Sequence, residues 1–164
     1  NAAEIRVARS DAERDAIWAA RRAALPSLAR VKPTCILEDA TVPRSKVPDM
    51  ILAVREIAGR NNVVIGTFGH AGDGNLHPTL ICDSRDKEEM ARVERAIDEI
   101  FETALRLGGT LSGEHGIGLA KKKYLRMEFG ENGVEVMRAI KLALDPKNLL
   151  NPGKIFEDAP CSIG

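Results

Sequence analysis

Three histidines, one glutamate and the glycines around them are the residues of this 164-residue sequence whose types and spacing could do chemistry. Two of the histidines lie in the run Gly69-His70-Ala71-Gly72-Asp73-Gly74-Asn75-Leu76-His77-Pro78. The third follows Glu114 in a second glycine-rich run, Ser112-Gly113-Glu114-His115-Gly116-Ile117-Gly118. Glycine lets a backbone turn sharply and come close to a ligand. His70 and His77 are seven residues apart, near the facing ends of what reads as a hairpin, where side chains on paired strands reach a common ion. Neutral imidazoles with one carboxylate form a familiar divalent-metal set that leaves positions open for substrate. Glu114 and Asp73 compete for the carboxylate place, although Asp within Gly-Asp-Gly is often only a turn former. A single loop histidine usually bonds only its own loop. Three of three in glycine-rich runs, with Glu114 beside the last, favour a metal site with an adjacent base.

The elements that must position these residues are legible in the pattern. Ser10-Asp11-Ala12-Glu13 is a capping box, and Ala16, Ile17, Ala20 and Ala24 continue at helical spacing to about Leu25, before Pro26. Cys35-Ile36-Leu37 reads as a short strand, and Asp39-Ala40-Thr41-Val42-Pro43-Arg44 as an extended lead-in. Ser45 is placed to cap a second helix with Met50, Ile51, Val54, Ile57 and Ala58 on its apolar face and Gly59 as its stop. Val63 to Phe68 and Leu76 to Ile81 read as two strands, which makes the first glycine-rich run their connection. Asp86 to Leu107 is the longest helix, with Met90, Val93, Ile97, Ile100, Phe101, Ala104 and Leu107 inward. Thr110-Leu111-Ser112 reads as a strand into the second run. Helices over about Leu119 to Phe129 and Val134 to Leu144 follow, then an irregular tail. Strands and helices do not alternate as a doubly wound sheet requires, so the expected class is α+β, an antiparallel sheet covered by helices.

Composition narrows the function. With 24 basic and 24 acidic side chains, the sequence carries no electrostatic footprint for nucleic acid or anionic lipid. Cys35, Cys82 and Cys161 are far apart and form no C-x-x-C pair, which suits a reducing compartment. No apolar run approaches a membrane span and no signal peptide is evident. The first residue is Asn1, and Glu4-Ile5-Arg6-Val7-Ala8 reads as a strand cut from something larger, so residues 1–164 are expected to be one domain of a longer protein. Other templates fail. Asp73-Gly74-Asn75 opens like a calcium loop, but Pro78 and Ser84 stand where Gly and Glu are needed. Gly113 to Gly118 has phosphate-loop spacing but continues Leu119-Ala120 rather than Lys-Ser/Thr. Lys121-Lys122-Lys123 reads as a solvated helix face. Arg21 and Arg22 read as surface residues, with a bidentate carboxylate clamp as the sharper alternative.

Three ordered motifs carry a resemblance: His70 to Pro78, Ser112 to Gly118, and Asn151-Pro152-Gly153-Lys154. Together they resemble the C-terminal (cap, or substrate) region of the FAD-linked oxidases of the vanillyl-alcohol-oxidase-like superfamily. Trp18-x-x-Arg21-Arg22, Pro26, Arg30, Cys35 and Asp39-x-Thr41-Val42-Pro43-Arg44 are most similar to the glycolate oxidase D-subunit and D-lactate dehydrogenase group. The match runs from about Glu4 to Phe156.

The resemblance implies a ferredoxin-like antiparallel sheet with a helical C-terminal extension. It implies that His70, His77 and Glu114 are ligands of a zinc-like divalent metal and that His115 is the base. Arg21 would hold the substrate carboxylate, and Asn151 and Lys154 would lie near the flavin. The implied parent carries FAD on an N-terminal FAD-binding domain absent here. It oxidises glycolate or D-lactate to the 2-oxo acid and passes electrons to an iron–sulfur partner subunit. Ile36-Leu37-Glu38 stand where relatives acting on larger diacids carry a Lys and aromatic residues, which points to the smaller acids. The 164-residue chain alone is expected to be inactive and without flavin. The expected location is cytoplasmic, peripheral at the inner face of the membrane where partner subunits hold it there. The competing reading is a non-catalytic metal-binding or interaction domain of the same fold.

Overall fold

The computed structural model describes residues 5–156. In chain order it has helices α1 (Asp11–Arg22) and α2 (Ala24–Leu28), strands β1 (Thr34–Leu37) and β2 (Ala40–Thr41), and helix α3 (Val47–Asn61). The hairpin β3 (Val64–His70) and β4 (Asn75–Cys82) follows, then helices α4 (Lys87–Arg106) and α5 (Leu125–Leu144).

All of β4 is buried, because it is paired on both edges and covered on both faces. On one edge β1 and then β2 run antiparallel to it, Cys35 opposite Ile81 and Ala40 opposite Leu76. On the other edge lies β3, with Phe68 opposite His77 and His70 opposite Asn75. Thr110 forms an antiparallel bridge with Thr41 outside β2. The succession β-α-β-β-α closed by that bridge, with this strand order, is a ferredoxin-like α+β arrangement.

Alternation along β4 divides its side chains between two faces. Leu76, Leu80 and Cys82, with Ala40, pack against Met50, Val54 and Ile57 of α3 and Val93, Ala96, Ile100 and Ala104 of α4. His77, Thr79 and Ile81 face the other way. Above that second face lie α1 and α2, with Leu28 resting on Gly66 and the Arg21 guanidinium 5.1 Å from the Phe68 ring. A second apolar cluster joins Phe101 of α4 to Leu111 and Tyr124. It anchors both ends of the irregular segment that carries Glu114 and His115. Among the described residues no helix is long and apolar enough to cross a membrane.

The local signals hold in part. Ser10 Oγ accepts the Glu13 N–H at 3.2 Å, but the Glu13 carboxylate accepts from Arg9 N rather than from Ser10. The first helix stops at Arg22, and Pro26 falls in the first turn of α2, where a missing N–H leaves no bond unmade. Ser45 lies in a 3-10 turn and caps nothing; α3 begins at Val47. Gly59 is inside α3, which is ended by Asn62 in the left-handed conformation, φ 51°. Residues 5–8 form no strand, and Glu4 and Cys161 lie outside the described residues. Thr110 to Ser112 contributes only the single bridge. The helix expected from Leu119 starts at Leu125 after a 3-10 turn. The two C-terminal helices form one element broken at Gly130, φ 64° and ψ 178°.

Leu80 is fully buried at the centre of β4, facing both α3 and α4. Leu80→Ala is expected to destabilise the fold by about 2–5 kcal/mol, measured by denaturant unfolding. A loss below about 1 kcal/mol would show that this layer is not the main core.

Candidate metal centre

His70 is the last residue of β3 and His77 the third of β4. They are not directly opposite, as the hairpin reading had them. His70 pairs with Asn75 and His77 with Phe68, so the two imidazoles are diagonal neighbours on one face. Their ring centroids are 5.4 Å apart, edge to face. The connection is a tight turn in which Asp73 N and Gly74 N both donate to the His70 carbonyl, at 2.9 and 3.0 Å. Gly74 has φ +78°, and a Cβ there would lie 2.0 Å from the Val42 carbonyl oxygen. Only glycine fits, and the turn is thereby locked against the chain leaving β2.

The second glycine-rich run approaches from the other side. Gly113 packs so closely on Thr41 and Asn75 that a Cβ would stand 2.3 Å from Thr41 Oγ1. The next residue, Glu114, points its carboxylate at the histidines. Oε1 is 3.0 Å from His77 Nε2, 3.8 Å from His70 Nε2 and 3.8 Å from His115 Nε2. One ligand atom from each of His70, His77 and Glu114 lies within 4.8 Å of the others; His115 stands outside that set. The His115 ring stacks on His77, centroids 5.2 Å apart and planes 16° apart. His77 is 3% exposed, and its Nδ1 is buried without a hydrogen-bond partner. Two imidazole nitrogens and a carboxylate at these separations could hold a metal ion.

The remaining expected residues fall in different places. Arg21 lies over Phe68, whose ring is 5.6 Å from that of His77, so its cation is on the same face as the cluster. Asp73 lines a cleft of about 350 Å³ with His70, Asn75 and Glu114 but is not part of the close ligand set. Asn151 and Lys154 are exposed on the tail, which returns to the second run through Ile155 N donating to Gly118 O. A cleft of about 630 Å³ opens beside Glu114, with Ile117, Phe129, Met137, Ile140 and Phe156 among its walls.

Two residues of the site were given no chemical task by the sequence, although Asp39 stands in one of the motifs that carry the resemblance. Asp39, fully buried, accepts at Oδ2 from Ser112 Oγ (2.6 Å) and from the N–H groups of Gly113, Glu114 and His115 (3.0, 3.0 and 2.9 Å). Those partners are 73 to 76 residues away, beyond any local pattern. Lys121, read as a solvated face, is instead 4% exposed: its ammonium donates to the carbonyls of Asp39 and Leu111, each at 2.7 Å. Its stem can cross the apolar layer while its head finds oxygen, which a run of three lysines does not reveal. Burial opposes the charge on Asp39, but the Ser112 hydroxyl and the three N–H donors outweigh it and hold the carboxyl well below its usual range. Burial pushes the Lys121 ammonium down, against the attraction of Asp39 and Glu38. Burial likewise pushes the Glu38 carboxyl up, more than nearby Lys121 and His115 bring it down.

Comparison with known proteins identifies a family and individual relatives. The chain matches the family described as FAD linked oxidases, C-terminal domain, over residues 1–155. It is 54% identical over 156 residues to the glycolate oxidase subunit GlcD of Bacillus subtilis, covering 95% of this chain and 33% of that protein. To the GlcD subunit of Escherichia coli it is 36% identical over 153 residues, 93% of this chain and 31% of that one. A probable mitochondrial D-lactate dehydrogenase of Danio rerio is 38% identical over 152 residues, 92% of this chain and 31% of its own. The chain thus spans about a third of the length of these relatives.

Gly113→Ala is expected to push the second run away from Thr41 and Asn75, with a loss of about 1–3 kcal/mol in denaturant unfolding. Wild-type stability in that variant would mean that the close approach is not needed.

Proposed function

The chain belongs to the family of FAD linked oxidases, C-terminal domain, and from that premise we propose that it is the substrate- and metal-binding part of a flavin-dependent oxidoreductase acting on glycolate or D-lactate. One observation carries the reading. Three imidazoles from two separate segments converge on a single oxygen of Glu114. In this account His70, His77 and Glu114 hold a divalent ion, and Arg21, on the same face, meets the carboxylate of the acid. His115 lies outside the ligand set and takes the hydroxyl proton at Nε2. The α-hydrogen departs as hydride, and the product is the 2-oxo acid. When bound, the ion would supply Lewis-acid polarisation of the hydroxyl and FAD would supply the hydride acceptor.

The apolar cleft beside Glu114 supports a flat ring system next to the cluster. Asn151 and Lys154 would meet the flavin from the tail. Apolar side chains left exposed on α1 (Ile17, Trp18) and α5 (Val136, Ile140, Leu144) support packing against an N-terminal FAD-binding domain in the rest of the parent. The reading extends to an iron–sulfur subunit as electron-taking partner. It also takes the parent to be cytoplasmic, held at the inner face of the membrane by such partners.

Glu114 and His115 are neighbours with different assigned tasks, and substitution in the full-length protein separates them. Glu114→Gln is expected to lose metal and turnover together. His115→Asn is expected to keep its metal and flavin and lose kcat by about 10²–10⁴-fold, the usual contribution of a general base. Elemental analysis beside steady-state kinetics decides: full turnover per folded molecule in His115→Asn ends the base assignment, and unchanged metal in Glu114→Gln ends the ligand assignment.

A further inference from the structure

The segment that presents Glu114 and His115 has neither strand nor helix to hold it. It leaves the sheet at the Thr41–Thr110 bridge and enters regular structure again only at the 3-10 turn Lys122–Tyr124. Glu114 is half-exposed, and among the described residues its carboxylate meets the three imidazoles. The backbone that carries this side chain must therefore be placed with care. That backbone is folded around an internal anion. Three successive N–H groups, Gly113 to His115, and the Ser112 hydroxyl all aim at Asp39 Oδ2. Ser112 Oγ in turn accepts from Gly116 N at 2.8 Å, which carries the same constraint one residue further. Successive N–H groups converging on one oxygen form an anion nest, here filled by the protein's own carboxylate.

Lys121 closes the arrangement from behind. Its ammonium is 3.7 Å from Asp39 Oδ2 and bonded to the carbonyls of Asp39 and Leu111, so it ties the start of β2 to the start of the loop. The two sheet-borne histidines need no such device: His77 is locked in the central strand and His70 by its turn.

We propose that Asp39, with Lys121 as its counter-charge, is the positioning residue of this centre: it shapes the loop that brings Glu114 and His115 to the sheet-borne histidines. The inference rests on the reading of His70, His77 and Glu114 as metal ligands. An ionised acceptor binds N–H and O–H donors about twice as strongly as a neutral one. Asp39→Asn therefore keeps the size of the side chain and slackens the nest.

In the full-length protein, Asp39→Asn is expected to weaken Zn²⁺ binding by roughly 10–100-fold, measured by competition with a chelator. Hydrogen exchange at the amides of Gly113, Glu114 and His115 should accelerate in the metal-free protein, while the β3–β4 amides keep their protection. If Asp39→Asn does not fold, Ser112→Ala removes one donor of the same nest and should move both readouts in the same direction by less. A variant that melts lower but keeps wild-type Zn²⁺ affinity per folded molecule and wild-type exchange at those three amides overturns the proposal, since Asp39 is then structural only. Wild-type protein whose Zn²⁺ binding is absent, or unaffected by His70→Ala, brings down the ligand reading instead. The exchange at residues 113–115 then still decides for or against Asp39 as the loop's organiser.

Discussion

Asp39 Oδ2 takes four hydrogen bonds from one short segment of chain, and the two halves of the site meet because of it. A fully buried carboxylate is costly unless it is saturated with donors and given a counter-charge. Here Oδ2 is met by one hydroxyl and three backbone N–H groups of a single loop, Oδ1 is buried without a hydrogen-bond partner, and the counter-charge is a lysine whose ammonium also satisfies two carbonyls. Each requirement meets another's need. Sheet and loop are thus joined by polar bonds that have direction, where apolar packing alone would hold them together without setting an angle.

The hydrophobic layers supply the rigid frame around that joint. The α3 and α4 side chains cover one face of β4 and leave its other face free for His77, so the same strand is both core and site wall. Next to that face α4 carries Phe101, against which Leu111 and Tyr124 pack. The loop is therefore held at both ends by apolar contact and in the middle by Asp39. The imidazoles sit on the stiff part of the molecule, and the carboxylate and third imidazole come from the part shaped by hydrogen bonds.

Much of this was legible in the sequence, for physical reasons that differ residue by residue. The hairpin and the long α4 were readable because alternation and the 3.6-residue period are local signals. The histidine–glutamate cluster was readable because its members stand in glycine-rich runs, where only a few residue types have a reason to be. Asp39 and Lys121 were not. Their partners are far along the chain, and the pattern Lys-Lys-Lys is the same whether one head group is buried or all three are solvated. Boundaries set by backbone conformation were also missed. Asn62 ends α3 by adopting a left-handed conformation that Gly59 was expected to supply. Pro26 reads as a stop, yet it is harmless in the first turn of α2. The fourth strand was overestimated because Thr110-Leu111-Ser112 has strand-like composition but only one residue able to reach Thr41.

The central claim is that His70, His77 and Glu114 are the protein's own ligands for one divalent ion. Anomalous diffraction from crystals of the full-length protein grown with Co²⁺ or Zn²⁺ tests it most directly. The account predicts a single strong peak about 2.0–2.2 Å from His70 Nε2, His77 Nε2 and a Glu114 oxygen, with His115 outside the ligand shell. A crystal in which the ion binds elsewhere, or in which Glu114 stays on His77 with no peak between them, would contradict it.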